Sequence, residues 1–256
     1  MKKIKVSVIS YLNTLPFVYG LKHSKTVNYI DFIYDTPAKC AVRLANRSVD
    51  IGIVPAAVIP EIPDRKIISK YCIGASGTVR SVVLCSNEPL SEIKNVYLDG
   101  ESRTSALLAR LLLAEYWKID VSLFPATSIK EIDPYKKNTA YLLIGDKVFD
   151  FEDRFMYKFD LSETWKSFTG MSFVFAAWTA VNPLPDGFIS MFDAALSFGI
   201  DSISEAAREN KSSLTCQDAV KYLTENIDYN FDYAKHKALV MFWNMVMKLK
   251  SKYRSC

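Results

Sequence analysis

The sequence predicts an α/β protein with mainly parallel sheets, arranged as two lobes around a central cleft. Short apolar runs alternate with stretches of helical periodicity along most of the chain, a pattern typical of βαβ units. The 256 residues, half of them hydrophobic, are enough to build two lobes with buried cores. No Gly/Ser-rich linker interrupts the chain, so we expect it to pass between the lobes on strands.

Six apolar runs predict strands, because each is short and most are rich in β-branched residues. They are IKVSVIS (4–10), VDIGIVP (49–55), RSVVLCS (80–86), NVYLDG (95–100), TAYLLIGD (139–146) and FVFAAWTAV (173–181). Helices are predicted between them in TPAKCAVRLANRS (36–48) and SALLARLLLAEYWK (105–118), where apolar residues recur at helical spacing.

The C-terminal third predicts three helices. They lie in ISEAARENK (203–211), TCQDAVKYLTENI (215–227) and YAKHKALVMFWNMVMKLKSKY (233–253). Thr215 is the expected N-cap of the second, with Leu214 as the hydrophobic residue before it. In the third, apolar residues recur every three or four positions and form a stripe that we expect to dock on the first lobe: Leu239, Phe242, Trp243, Val246 and Leu249.

Two segments suit the crossings between lobes. TVRSVVLCSNEPL (78–90) and FVFAAWTAVNPLP (173–185) each follow a βαβ-like region and end near a proline. The predicted first lobe therefore comprises residues 1–85 plus 180–256, and the predicted second lobe residues 86–179. The cleft would lie between them.

Charge and hydropathy limit the classes of partner. The 32 basic and 28 acidic residues give a net charge of +4 and are spread along the chain, so we expect no nucleic-acid partner. No apolar run approaches the roughly 20 residues of a membrane span. The N-terminal MKKIKVSVIS lacks a secretory pattern. We therefore expect a cytoplasmic protein without a membrane partner.

We expect neither a metal nor an organic cofactor. The five cysteines, at 40, 72, 85, 216 and 256, are scattered without a Cys-x-x-Cys pair, and His23 and His236 stand apart from any nucleophile pattern. The glycine-rich motifs of nucleotide-binding loops are also missing. The candidate ligand is therefore a small molecule bound by protein groups alone.

The first candidate binding segment is SYLNT, Ser10 to Thr14, directly after the first predicted strand. Pro16 suits the first turn of the following helix. Ligands of open α/β sheets bind beyond the carboxyl ends of strands, where free amides and the helix dipole favour an anion. Asn13 or Thr14 is equally compatible with a plain helix cap.

Two further junctions have the same form. The strand VDIGIVP ends before a presumed helix start at Pro55, where small residues let a ligand approach the backbone. LDGESRTSALL brings Ser102, Arg103, Thr104 and Ser105 to a helix N-terminus, a suitable receptor for a carboxylate or phosphate. The alternative there is a Ser/Thr cap with Arg103 facing solvent.

Other polar residues are predicted at the rim of the cleft. The turn SGTVRS places Ser76, Gly77, Arg80 and Ser81 before a crossover strand. Gly145 and Asp146 end another strand, although Asp146 is equally suited to cap the next helix. Together these junctions predict a small anionic ligand in one cleft.

Seven segments, in order, resemble the chorismate dehydratases of the futalosine route to menaquinone. They are SYLNTLPF, DIGIVPAA, SGTVRSVVLCS, SRTSALLARLLL, LLIGD, WKSFTGMSFVFAAW and YLTENIDYNFD. Single segments are weakly specific, but seven in this order cover nearly the whole chain. The resemblance implies an α/β, two-lobed, type II periplasmic-binding-protein-like fold with two crossover strands and a central cleft.

The resemblance also implies an activity and site residues. Chorismate would lose its ring hydroxyl as water and give 3-[(1-carboxyvinyl)oxy]benzoate, which makes the protein a carbon–oxygen lyase. The family's functional Asn falls on Asn13 and its functional Ser on Ser81, while residues 102–105 would hold a substrate carboxylate.

Two other functions share this architecture. A transport binding protein would need an export signal or a lipid-anchor cysteine, which we do not expect here. A related enzyme of the same route cleaves cyclic dehypoxanthine futalosine to 1,4-dihydroxy-6-naphthoate, and its family has a different opening segment and a functional His. The SYLNT opening and the scarcity of His favour the dehydratase.

Overall fold

The computed structural model describes residues 3–126, 132–209 and 211–254. Asn210, within the predicted helix 203–211, and Cys256, one of the five cysteines, lie outside these ranges. The strands are β1 Ile4–Ile9, β2 Ile30–Asp35, β3 Ile51–Pro55, β4 Lys66–Ala75, β5 Val82–Ser86, β6 Asn95–Asp99, β7 Ser122–Ala126, β8 Thr139–Ile144, β9 Tyr157–Asp160, β10 Phe173–Ala180 and β11 Asp228–Asn230. The helices are α1 Leu15–Lys22, α2 Pro37–Ala45, α3 Arg103–Leu111, α4 Lys147–Phe151, α5 Leu161–Thr169, α6 Phe188–Asp201, α7 Ile203–Ala206, α8 Cys216–Glu225 and α9 Tyr233–Arg254.

The strands form two mixed sheets, so the predicted α/β class is confirmed. The expectation of mainly parallel sheets is wrong, because β4, β5, β9, β10 and β11 pair only antiparallel with their described neighbours. The first has the order β11-β4-β10-β3-β1-β2, with β1 parallel to β2 and β3 and with β10 antiparallel to β3 and β4. The second has the order β7-β6-β8-β5-β9, with β6 parallel to β7 and β8. The carboxyl ends of the parallel strands are where an α/β sheet presents its ligand-binding loops.

All six predicted strands are present, but the sequence pattern missed the other five strands in the described part of the chain. β2, β7 and β9 lie next to only one strand and carry exposed charged, polar or proline residues, while β11 has only three residues. β4 begins with exposed and half-buried residues and becomes fully buried only near its end. Such edge and half-exposed strands lack the continuous apolar run used for the prediction.

The hydrogen-bonding of the sheets shifts the predicted crossings. β5 pairs with β8 and β9, so all of it belongs to the second sheet, and the boundary predicted at residue 85 cuts through it. β10 pairs with β3 and β4, so it belongs to the first sheet rather than to the predicted 86–179 block. We propose lobes of residues 1–80 plus 172–256 and of residues 81–171, because each sheet is then built from one lobe.

Two glycines allow α1 and α6 to touch through their backbones. A Cβ added at Gly20 would lie 2.0 Å from the Ala195 carbonyl oxygen, and one at Gly199 would lie 1.9 Å from the Pro16 carbonyl oxygen. α1 is therefore held directly on α6, which the sequence pattern missed. Phe17 of α1 adds an edge-to-face contact with Trp178, at a centroid distance of 5.7 Å. This packing holds the segment that precedes α1 against the first sheet.

The last helix buries the predicted stripe. Leu239 and Phe242 are each 1% exposed, and the Trp243 indole donates a hydrogen bond to the Ala56 carbonyl at 2.8 Å. α9 contacts β10 of the first sheet, as expected, and also α3 of the second lobe. Over residues 3–126, 132–209 and 211–254, none of the helices combines the length and hydropathy needed to cross a bilayer.

Candidate active site

One small cavity collects residues from both lobes, including Asn13 and Ser81. Its volume is ≈ 50 Å³. It is lined by Ile9, Tyr11, Asn13, Thr14, Pro37, Pro55, Ile73, Val79, Ser81, Val82, Ser102, Ser105, Ile144, Gly145, Phe175 and Ala176. Eight of the fifteen residues predicted for the site thus meet in one space.

The cavity lining is apolar and uncharged. Aliphatic and aromatic side chains form its walls, and hydroxyl and amide groups supply the polar atoms. Among the described residues that line it there is no Asp, Glu, Lys, Arg or His. Such a site can orient an anion through hydrogen bonds but offers no strong protein base beside the ligand.

The SYLNT segment forms a tight turn rather than a simple helix cap. Leu12–Thr14 is a 3₁₀ turn, and the single proton of the Thr14 hydroxyl is shared between the carbonyl oxygens of Ile9 and, at 2.8 Å, Tyr11. The Tyr229 hydroxyl donates to the Asn13 carbonyl at 3.0 Å. These bonds hold the Asn13 backbone, so its side chain is presented to the cavity from a fixed turn.

Ser81 is 1% exposed and is held from two sides. Its carbonyl accepts a hydrogen bond from the Gly145 amide at 2.8 Å, and its hydroxyl accepts one from the Tyr222 phenol at 2.8 Å. Asn13 lines the same cavity as Ser81. A buried tyrosine from a distant part of the chain therefore holds one of the two residues predicted to be functional.

Tyr222 was not among the predicted site residues. In the sequence it stands next to Leu223 on the apolar face of a helix, where an aromatic residue is interpreted as core. It is indeed 1% exposed, and burial raises its pKa above the ordinary value, so the phenol keeps its proton. Only the three-dimensional arrangement shows that its hydroxyl meets Ser81.

The N-terminus of α3 contributes two serines to the cavity. Ser102 accepts a hydrogen bond from the Ser105 amide at 3.2 Å, and the two hydroxyls are 2.9 Å apart. Thr104 is turned to the first lobe, where it accepts from the Ala57 amide at 3.1 Å. Arg103 pairs with Glu61 at 2.8 Å and is half exposed, as the capping alternative predicts. We leave Arg103 out of the proposed ligand contacts.

Three residues of the predicted turn SGTVRS also lie away from the cavity. Arg80 has a φ of 62°, and its guanidinium contacts Glu152 at 3.2 Å. Ser76 and Gly77 line a separate groove, in which the Ser76 hydroxyl donates to Asp228 at 2.8 Å. The side chains of Ser76 and Arg80 are engaged with protein groups, so Ser81 is the predicted residue of this turn that we retain.

Ser10 and Asp146 lie in a wider groove beside the cavity. The groove has a volume of ≈ 900 Å³ and shares Ile9, Tyr11 and Thr14 with the cavity. The Asp146 carboxylate accepts a hydrogen bond from the Leu12 amide at 3.2 Å, and burial raises its pKa above the ordinary value. The Leu12 amide, one of those expected to receive an anion, is therefore bonded to the protein's own carboxylate.

The lobes also meet at a tyrosine beside the cavity. The Tyr11 hydroxyl donates to Glu101 at 3.2 Å, and Lys147 bridges Glu101 at 2.7 Å and Asp99 at 3.0 Å. Burial, followed by the charge of Glu101, raises the pKa of Tyr11 above its ordinary value. Tyr11 is thus a neutral donor that links the first lobe to the second.

The closed cavity is too small for a dicarboxylate. Ligand pockets for small organic molecules measure roughly 300 Å³ or more. A space of ≈ 50 Å³ instead matches a few waters. The lobes must therefore separate, with loss of contacts such as Tyr11–Glu101, to admit a ligand of that size.

Substitution of Gly145 tests how closely the two lobes pack at the cavity. Its φ is +62°, and an added Cβ would lie 3.3 Å from the Tyr11 ring. We expect Gly145→Ala to cost about 1–2 kcal/mol of folding free energy from the backbone alone, and also to weaken ligand binding because the Tyr11 ring must move. Calorimetry of unfolding and ligand titration measure the two effects.

Gly170→Ala is the matched control for Gly145→Ala. Gly170 has a similar φ of +73°, but nothing lies within 4 Å of an added Cβ. It should reproduce the loss of stability and leave ligand affinity unchanged. Equal affinities in the two variants would contradict the role given to the Gly145–Tyr11 contact.

Comparisons with known proteins agree with this fold. The sequence pattern of the family described as "Menaquinone biosynthesis" matches residues 4–248. Protein AF1704 from Archaeoglobus fulgidus superposes with a TM-score of 0.76 at 16% identity, over 97% of this chain and 98% of that one. An ABC transporter structure from Parabacteroides distasonis gives 0.71 at 17% identity, over 98% and 94%.

The description of a third similar structure names its fold. The CA3427 gene product of Candida albicans, described as having the generic periplasmic binding protein fold, gives a TM-score of 0.69 at 14% identity, over 97% of this chain and 90% of that one. The predicted periplasmic-binding-protein-like fold is thereby confirmed. Because the family pattern spans almost the whole sequence, the chain belongs to the menaquinone biosynthesis family.

Proposed function

We propose that this protein is a chorismate dehydratase, a carbon–oxygen lyase that converts chorismate to 3-[(1-carboxyvinyl)oxy]benzoate and water. The observation that carries the proposal is the meeting of Asn13 and Ser81 in one uncharged cavity between the lobes. Membership of the menaquinone biosynthesis family supports a biosynthetic enzyme, which we expect to act in the cytoplasm.

The proposed binding mode uses both lobes. The ring of the substrate would lie against apolar walls such as Ile73 and Phe175. Its carboxylates would accept hydrogen bonds from hydroxyls and amides at the helix starts, among them Ser102 and Ser105 of α3. Closure then excludes water and strengthens each of these hydrogen bonds.

The proposed reaction is a 1,2-elimination. The C–H bond next to the ring carbon that bears the hydroxyl breaks, its electron pair forms the new ring double bond, and the C–O bond to the hydroxyl breaks. The departing oxygen takes up a proton and leaves as water, so no oxidant or reductant is needed. Asn13 and Ser81 would orient this hydroxyl and the neighbouring C–H.

The substrate itself is the proposed base. The described lining of the cavity contains no carboxylate or imidazole. One of the substrate's own carboxylates is therefore the candidate acceptor for the ring proton, while the protein supplies geometry. Aromatisation of the ring provides the driving force for the elimination.

The uncharged lining also bears on the rival enzyme of the same route. The resemblance to that rival would imply a functional His, but His23 contacts Glu209 and His236 packs beside Phe231, and neither lines the cavity. This placement favours the dehydratase over 1,4-dihydroxy-6-naphthoate formation.

Incubation with chorismate tests the proposal directly. We expect the purified protein to produce a species lighter than chorismate by one water, with the ultraviolet absorption of a benzoate, as followed by mass spectrometry and absorbance. A parallel incubation with cyclic dehypoxanthine futalosine tests the rival. Unchanged chorismate recovered from a stable complex would instead indicate a binding protein, and unchanged chorismate without binding would contradict both.

A further inference from the structure

Tyr222 reaches the site from a helix outside the junctions that form the cavity. It lies on α8, and its ring meets Phe149 of α4 edge to face, at a centroid distance of 5.1 Å. The phenol oxygen is 2.8 Å from Ser81 Oγ, and Tyr222 and Ser81 are each 1% exposed. Packing thus holds the hydroxyl in place without help from solvent.

The hydrogen bond from Tyr222 to Ser81 determines which atoms can donate. A phenol has one proton, and Tyr222 gives it to Ser81 Oγ. Ser81 Oγ accepts this bond, so the proton of the Ser81 hydroxyl remains for the cavity.

We propose that Tyr222 is a positioning residue that directs the Ser81 hydroxyl toward the substrate. Ser81, which accepts from Tyr222, donates a hydrogen bond to the substrate's leaving hydroxyl. This role rests on the proposed dehydration and deepens it.

The buried surroundings keep this arrangement constant with pH. Burial raises the pKa of Tyr222 above its ordinary value, and the nearby carboxylates Asp146 and Asp160 act in the same direction. The phenol therefore stays protonated throughout the neutral range, so Ser81 always receives a hydrogen bond. The residue acts by orientation and not by titration.

Tyr222→Phe tests the proposal, because it removes one oxygen and keeps the ring against Phe149. We expect kcat for chorismate to fall about 10- to 100-fold. KM should change less than about threefold, because the substrate's carboxylates and ring keep their contacts. A purely structural tyrosine would lower the melting temperature and leave kcat per folded molecule unchanged, which would overturn the proposal.

Tyr141→Phe is the matched control. Tyr141 is also a buried tyrosine, 2% exposed, and its hydroxyl accepts one hydrogen bond from the Asp133 amide at 3.2 Å. It does not line the cavity. Its loss should lower stability with no change in kcat, and a kcat loss equal to that of Tyr222→Phe would overturn the proposal.

A double variant shows whether Tyr222 acts through Ser81. In a Ser81→Ala background the phenol has no hydroxyl left to orient, so adding Tyr222→Phe should lower kcat much less than it does in the wild type. Equal losses in both backgrounds would overturn the proposal. An inert wild-type protein would instead contradict the dehydratase function, whereas an active wild type with an equally active Tyr222→Phe variant would refute only the role of Tyr222.

Discussion

Replacement of Ser81 or Asn13 by alanine is expected to lower turnover of chorismate by about 100-fold or more. Each change removes a polar side chain that lines the cavity, and Ser81 also accepts a hydrogen bond from Tyr222. Affinity for the substrate should change far less, because the carboxylates are held by other groups. Steady-state kinetics and equilibrium binding of the aromatic product measure the two quantities separately.

Ser162→Ala is the control for the loss of a buried serine. Ser162 is 1% exposed, like Ser81, but its hydroxyl has no hydrogen-bond partner within the described parts of the chain. Its removal should leave turnover unchanged and alter stability little. Normal turnover in either Ser81→Ala or Asn13→Ala would remove that residue from the proposed mechanism.

Gly199→Ala is expected to produce the largest loss of stability. The new methyl group would lie 1.9 Å from the Pro16 carbonyl oxygen, so α1 and α6 must move apart. We expect a cost of about 3 kcal/mol or more. In a protein of this size that corresponds to a melting temperature lower by about 6–12 °C. Calorimetry and urea unfolding measure the change.

This substitution should also reduce activity in the protein that remains folded. α1 begins at Leu15, directly after the turn that presents Asn13, so a displaced α1 shifts the turn. Gly100→Ala is the control, because its nearest atom, the Ala126 carbonyl oxygen, would lie 3.7 Å from the added Cβ. A wild-type melting temperature for Gly199→Ala would show that the helices are not in backbone contact.

The Asp146–Leu12 contact links the two lobes beside the cavity. The carboxylate of Asp146 occupies the Leu12 amide at 3.2 Å. A substrate carboxylate that used this amide would have to displace Asp146. The interaction therefore holds the lobes together. A ligand anion can use the Leu12 amide only if it binds there more strongly than the Asp146 carboxylate does.

The fold was predictable where strands are buried on both faces. β3, β5, β8 and β10 are buried along their whole length, and each appears in the sequence as a continuous apolar run. β2 lies at a sheet edge, is fully buried only at its two end residues, and was missed. The sequence pattern also did not predict to which lobe β5 belongs, because an apolar run does not reveal which strands will be its hydrogen-bonded neighbours.

The site was predictable where polar residues follow a strand. Asn13, Pro55, Ser102 and Gly145 come after strand ends or close to them, and all line the cavity. Arg103 stands in the same segment as Ser102, yet its side chain turns outward to Glu61. Position along the chain places the backbone at the cavity, whereas the direction of each side chain depends on the partners that folding brings near.

The sequence by itself determined the α/β class, the strand-to-helix junctions and the family, because periodicity and residue order are local properties of the chain. Tertiary structure alone decided which junctions share a cavity, how tightly the lobes close and that Tyr222 touches Ser81. Those residues are 141 positions apart in the chain. Contacts between residues so far apart in the sequence depend on how whole helices and strands pack. The apolar face of a helix does not reveal which element it will pack against.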